Sequence, residues 1–196
     1  MWIKICGMTT PEAVAAAIEA RVDAIGFVFA PSPRRLSPQR ANELAAAARG
    51  RVRCVAVTRH PTQVALDEIL AVLEPDILQT DAVDLQALRL PTALELLPVI
   101  RADAILPGAL PARMVFEGPL SGTGVAVDWR AAHGLARRTQ VVLAGGLTSG
   151  NIAAAIAAVR PFGVDVSSGV EERPGLKSPL AIMQFVTAAR AAGESL

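Results

Sequence analysis

QVVLAGGLTSGNIAAAIAAVRPFGVDVSSG, residues 140–169, decides the fold of this chain. Residues 140–144 are a short apolar run of strand length that ends in Gly145-Gly146. An alanine-rich stretch of helical length covers 149–159, and a second apolar run, 162–167, ends in Ser167-Ser168-Gly169. Strand, helix and strand in this order make a parallel βαβ unit with a right-handed crossover. The same alternation continues upstream. Strands are expected over 2–6, 23–29, 52–57, 76–79, 97–101 and 113–117. Helices are expected over 11–20, 38–48, 62–73 and 129–137, a short one over 83–88, and a closing one over 179–192. Thr10-Pro11 and Ser37-Pro38 are N-cap and first-turn signals for two of these helices. Between residues 101 and 113 lie Pro107, Gly108 and Pro111, so the fifth unit is truncated and has no room for a full helix. Eight strands of this kind close as a (βα)8 barrel, of minimal length because barrels run from about 200 residues upward. The competing arrangement is an open doubly wound sheet, but its Gly-x-Gly-x-x-Gly fingerprint after the first strand is absent. The chain reads as one barrel domain over residues 1–196, with no linker and no repeat beyond the βα period.

Composition narrows the function. With 52% hydrophobic residues and a mean hydropathy of +0.41, the chain is neither disordered nor short of core. Lys+Arg 19 against Asp+Glu 18 leaves a net charge of +1, which excludes a general electrostatic grip on nucleic acid or an anionic membrane. No apolar run reaches the ~18 residues of a membrane-spanning helix. Residues 1–7 lack a basic segment followed by an apolar one, so no secretory signal is expected. Two cysteines, Cys6 and Cys54, make no disulfide framework and point to the reducing cytoplasm. His60 and His133 stand without Cys-x-x-Cys or His-x-x-x-His spacing, so no metal site is expected.

In a barrel the functional groups gather at the C-terminal ends of the strands. Those ends carry Cys6-Gly7, Ser32-Pro33-Arg34-Arg35, Thr80-Asp81, Glu117 with Ser121-Gly122-Thr123-Gly124 beyond it, Gly145-Gly146, and Ser167-Ser168-Gly169. The glycine clusters after strands 7 and 8 stand where barrels bind phosphate through backbone N–H groups, with Ser167 and Ser168 adding hydroxyls. Gly145-Gly146 alone would also serve as a plain βα turn. Alternation puts Ile3 and Ile5 toward the helices, and Lys4 and Cys6 into the barrel. An ammonium beside the thiol favours the thiolate, a base or nucleophile. A free cysteine is otherwise an apolar filler, the reading that suits Cys54. Glu117, partly desolvated at a strand end, suits a general acid, or it is a solvated loop carboxylate. Asp165 shares a strand face with Gly163 and Ser167. Inside a barrel it needs a hydrogen-bond partner, either a sugar hydroxyl or a neighbouring loop. Arg34, framed by Ser32 and Pro33, can pair with a carboxylate or a phosphate. His60 and His133 have no partner evident in the sequence and read as structural. With no histidine expected beside Cys6, a Cys–His nucleophile is a poor fit. A cysteine base facing a carboxylic acid suits proton transfer at carbon, as in aldose–ketose isomerisation.

Five motifs then fall in order along nearly the whole chain. They are Lys4-Ile5-Cys6-Gly7; Gly26-Phe27-Val28-Phe29 with Ser32-Pro33-Arg34; Gly122-Thr123-Gly124 with Asp128-Trp129; Leu143-Ala144-Gly145-Gly146-Leu147 with Asn151; and Val164-Asp165-Val166-Ser167-Ser168-Gly169-Val170-Glu171 with Pro174-Gly175 and Lys177. Together they resemble the phosphoribosylanthranilate isomerases, (βα)8 enzymes of tryptophan biosynthesis. The resemblance implies an Amadori rearrangement of N-(5-phosphoribosyl)anthranilate by acid–base catalysis, without cofactor or metal. It implies Cys6 as the base and the carboxyl at the end of strand 6, here Glu117, as the acid. Arg34 falls near the anthranilate, Asp165, Gly122 and Gly124 in the substrate site, and Gly145, Gly146, Ser167, Ser168 and Gly169 at the phosphate. The expected partner is a small phosphosugar, not nucleic acid or membrane, and the expected assembly is a monomer or homodimer. Three departures stand out. The strand 6 aspartate is Glu117, the histidine ending strand 4 is Asp81, and strand 3 reads Cys54-Val55-Ala56-Val57-Thr58 in place of Gly-Val-Phe-Val-Asn. The alternative is a non-catalytic or drifted phosphosugar-binding barrel, which would keep the phosphate loops and dispense with Cys6.

Overall fold

Three helices start with the same local chemistry. Thr10, Ser37 and Ser178 each accept a hydrogen bond from the backbone N–H three residues on, and each is followed by proline at the first helical position. A computed structural model describes residues 1–119 and 127–195 of the chain. Its main strands are β1 (Trp2–Cys6), β2 (Ala24–Val28), β3 (Arg53–Val57), β4 (Ile77–Asp81), β5 (Glu95–Arg101), β6 (Arg113–Glu117), β7 (Gln140–Ala144) and β8 (Gly163–Val166). All pair in parallel in sequence order, and β1 pairs with β8 to close the barrel. That pairing excludes the open sheet. The helices are α1 (Pro11–Glu19), α2 (Pro38–Ala45), α3 (Gln63–Leu73), α4 (Trp129–Ala136), α5 (Ile152–Val159) and α6 (Pro179–Glu194).

The strand alternation sorts two cores. Val55, Ile77, Leu97, Val115 and Val142 fill the barrel interior, while Ile3, Ile5, Ile25 and Phe27 pack outward with Leu66, Ile156 and Phe185 of the helices. Residues 102–112 contain no helix, in keeping with the proline and glycine content of the fifth unit. The fourth unit is also reduced. The helix expected over 83–88 is a single 3-10 turn, Asp84–Gln86. There the Asp84 carboxylate accepts from the His60 backbone and from Thr80, so it is drawn away from the turn's own N–H groups. α5 begins three residues later than expected because Asn151 folds back, donating to the Gly146 carbonyl and accepting from the Thr148 N–H. Beyond β8 an unexpected hairpin forms from β9 (Glu171–Arg173) and β10 (Leu176–Lys177), turning at Pro174-Gly175 with Gly175 at φ 84°.

Phe185 is fully buried on α6, in the layer between helices and barrel. Truncating it leaves a cavity there. Phe185→Ala should therefore lower the unfolding free energy by about 3–5 kcal/mol, read as a shift in the urea midpoint.

Candidate active site

The C-terminal ends of the strands surround a cavity of about 670 Å³. Cys6, Arg34, Glu117, Gly145, Gly146, Asp165, Ser167 and Ser168 all line it. Gly122 and Gly124 lie outside the described residues.

Cys6 and Lys4 point inward from β1, as the alternation requires. A Cβ on Gly26 of the neighbouring β2 would come within 3.1 Å of Cys6 Sγ and 3.2 Å of Lys4 Cε, so the thiol and the lysine side chain share one small space. Lys4 is fully buried and donates to Asp165 Oδ2 at 2.7 Å across the β1–β8 seam. Burial alone would lower the Lys4 pKa, but the charges of Asp165 and Cys6 outweigh it and hold the ammonium above the ordinary lysine value. Burial pushes the Cys6 thiol up, Lys4 and Lys177 pull it back, and Asp165 adds to the rise; the net direction is upward. The expected help from a nearby ammonium is therefore present but is outweighed by burial. Asp165 Oδ1 is buried and, among the described residues, has no hydrogen-bond partner. A bound hydroxyl would satisfy it. Cys54 lies in the outer core, where burial pushes its thiol up to about 11, as suits a filler.

Arg34 forms a bidentate pair with Glu171, Nε to Oε1 at 2.6 Å and Nη2 to Oε2 at 2.7 Å. Glu171 Oε1 also accepts from the buried Lys177 at 2.6 Å. Burial would raise the Glu171 carboxyl, but Arg34 and Lys177 hold it below its usual value. Glu171 and Lys177 carry no role that the sequence alone assigns. The signal was Pro174-Gly175, whose turn folds the two residues back onto each other. Lys177 also donates to the Ser167 carbonyl at 3.0 Å and hydroxyl at 3.2 Å, and that hydroxyl donates to the Cys6 carbonyl at 3.0 Å. The Ser167 proton is thus committed to the fold, where the sequence reading had it free to donate.

Glu117 reaches the cavity from β6, with Oε1 2.9 Å from Arg101 Nη1. Arg101 also donates to Asp81 at 2.7 Å. His60 finds a partner that the sequence does not reveal, and its role stays structural. Its Nδ1 lies 2.7 Å from Asp84 Oδ1 and its Nε2 3.6 Å from Asp81 Oδ2, which ties the β3 loop to the end of β4 and the turn after it. His133 stays structural, with Nδ1 3.3 Å from the Val159 carbonyl. Among the described residues, His60, Asp81 and Asp84 form the one cluster of metal-type donors. Both carboxylates are already engaged by hydrogen bonds or ion pairs, and the Arg59 and Arg101 cations at Asp81 oppose a divalent ion.

At the ends of β7 and β8, Gly145 and Gly146 take φ of 96° and 65°, in the left-handed region open to glycine. A Cβ on Gly169 would overlap the Leu147 carbonyl oxygen, so the two loops approach backbone to backbone. Gly145 and Gly146 line the cavity with bare backbone that can cradle an anion, while Gly169 is not a lining residue and packs against the Leu147 carbonyl. Gly169→Ala should push the loops apart and weaken binding of inorganic phosphate by about tenfold or more, read by calorimetry on the folded variant.

Residues 3–188 match the family model for N-(5'phosphoribosyl)anthranilate (PRA) isomerase. N-(5'-phosphoribosyl)anthranilate isomerase of Mesorhizobium japonicum is 39% identical over 209 residues, covering 97% of this chain and 95% of the relative. The crystal structure of TrpF from Jonesia denitrificans superposes with a TM-score of 0.82 at 35% identity, over 98% of both chains. A phosphoribosyl anthranilate isomerase in complex with reduced 1-(o-carboxyphenylamino)-1-deoxyribulose 5-phosphate superposes with a TM-score of 0.77 at 25% identity, over 97% of this chain and 99% of that one.

Proposed function

Because the chain belongs to the N-(5'-phosphoribosyl)anthranilate isomerase family, we propose that Cys6 and Glu117 carry the proton transfers of that isomerisation in this barrel. The observation that supports this is the cavity itself, where a thiol from β1 and a carboxyl from β6 face one space beside the glycine turns of β7 and β8. The substrate's phosphate docks on the backbone of Gly145, Gly146 and Gly169, with Ser168 at its side. Its sugar hydroxyls meet Asp165 Oδ1, and its anthranilate lies toward Arg34.

Glu117 protonates the ribose ring oxygen. The bond from that oxygen to C1 breaks as the anilino nitrogen's lone pair forms the Schiff base. The Cys6 thiolate then removes the C2 proton, and the C2–H electrons move through C1 to nitrogen to give the enolamine. Tautomerisation to the 1-deoxyribulose 5-phosphate derivative follows, and the proton held on Cys6 returns to solvent or product. Glu117 has one methylene more than aspartate, and misplacement by about 1 Å can cost ~10²-fold. Arg101 holds its Oε1 at 2.9 Å, which limits the swing of the longer side chain. Every group in this scheme comes from one chain, so it serves a monomer or a homodimer. A cytoplasmic setting keeps Cys6 reduced.

Phosphoribosylanthranilate generated in situ is fluorescent, and its loss reports turnover. Wild type should turn over, and both Cys6→Ser and Glu117→Ala should fall by at least about 10²-fold in kcat. Turnover that survives Glu117→Ala would move the acid role to another carboxyl. A folded wild type that binds the reduced product without turnover would favour a non-catalytic barrel. The pH profile gives a separate check. The thiol pKa is raised and the thiolate is the working form, so kcat/KM should climb as pH rises from neutral and level off only above the ordinary thiol range. A profile flat from pH 6 to 9 would remove Cys6 as the base.

A further inference from the structure

We infer that Arg59, in the loop after β3, is the specificity residue that takes the ortho-carboxylate of the substrate's aminobenzoate ring, alongside Arg34. The inference rests on the isomerase reading, which supplies a ligand with an anion at each end. β2 and β3 pair side by side, Val28 opposite Val57, and both arginines follow those positions and line the same cavity. The glycine turns, at the ends of β7 and β8, lie two to four strands away around the barrel. A ligand with its phosphate on those turns therefore presents its other end toward this pair.

Arg34 alone is poorly placed to hold that carboxylate. Both oxygens of Glu171 occupy its Nε and Nη2, which leaves Nη1 for a ligand. The other cations in and beneath the cavity are matched as well. Lys4 is spent on Asp165, Lys177 on Glu171, and Arg101 on Asp81 and Glu117. Arg59 differs. Among the described residues its one ionic contact is Nε to Asp81 Oδ2 at 3.5 Å, and its side chain is 44% exposed. Among the described residues, nothing accepts from its Nη1 or Nη2. A guanidinium at the cavity wall, held loosely at Nε and with both terminal nitrogens unengaged among the described residues, suits a planar carboxylate. Arg173 of the hairpin is the other cation at the mouth without a side-chain partner among the described residues, so it serves as the control.

The test compares two ligands by calorimetry. One is reduced 1-(o-carboxyphenylamino)-1-deoxyribulose 5-phosphate, and the other is its phenylamino counterpart without the carboxyl. Arg59→Gln should weaken the carboxylated ligand by about tenfold, the worth of one charge-assisted contact, and leave the carboxyl-free ligand within about twofold. Arg59→Lys, which keeps the charge but loses the fork, should recover part of the loss. Equal weakening of both ligands would overturn the inference, as would no weakening by Arg59→Gln. So would loss of the carboxyl preference in Arg173→Gln alone. A folded wild type that binds neither ligand would overturn the isomerase reading and this inference together. A wild type that binds and turns over, with Arg59 indifferent to the carboxyl, would overturn this inference alone.

Discussion

Lys4 and Asp165 meet where the first strand of the barrel closes on the last. They are register partners across β1 and β8, 161 residues apart, joined at 2.7 Å in full burial. Neither charge is tolerable there alone. Desolvating an ion costs several kcal/mol, and removing one partner of a buried pair typically costs about 3–5 kcal/mol. The pair is therefore weak evidence for net stability and strong evidence for specificity, because a slip of one residue at the seam would strand both charges. The same pair forms the floor under Cys6. One contact thus serves both the closure of the fold and, beside the larger effect of burial, the charge around the thiol.

Three further clusters extend this arrangement around the mouth. Glu171 ties the β2 loop to the hairpin through Arg34 and Lys177, and Lys177 reaches on to Ser167 at the end of β8. Arg101 ties the ends of β4 and β6 through Asp81 and Glu117. His60 ties the β3 loop to the 3-10 turn after β4 through Asp84. Each joins loops that local sequence leaves independent. They lie where units four and five lack α-helices, or where the hairpin interrupts the path from β8 to α6. On those sides charge pairing does some of the work that packed helices do elsewhere.

The parts of the molecule set by neighbours in sequence were legible in advance. The caps at Thr10 and Ser37, the inward face of Lys4 and Cys6, and the missing helix after β5 follow from spacing and from proline. The count of barrel strands was legible too, though not the β9–β10 hairpin beyond them. Partnership across the barrel was not. Nothing local pairs Arg34 with Glu171, 137 residues on, or sets Arg101 between Asp81 and Glu117. The partner of His60 was hidden for the same reason, since Asp84 lies beyond the whole of α3. The upward shift at Cys6 was missed because alternation reveals the neighbouring ammonium but not the depth of burial. The family resemblance carried the candidate site further than residue chemistry did, by marking Cys6 and Arg34 where pattern alone left a filler and a loop cation.

A buried thiol with a raised pKa looks ill suited to act as a base at neutral pH, since little thiolate exists. Two effects offset this. Base strength rises with pKa, so the thiolate that does form abstracts a carbon-bound proton more effectively than an ordinary one. The proposed reaction also brings its own cation. Ring opening places a protonated Schiff base beside the thiol, and in a low-dielectric pocket that charge favours the thiolate while it acidifies the C2 proton. Lys4 cannot supply this on demand, because its charge is already shared with Asp165. On this account the order of steps matters. In the proposed reaction, protonation of the ring oxygen from the β6 side comes first, because it creates the charge that would make Cys6 a competent base.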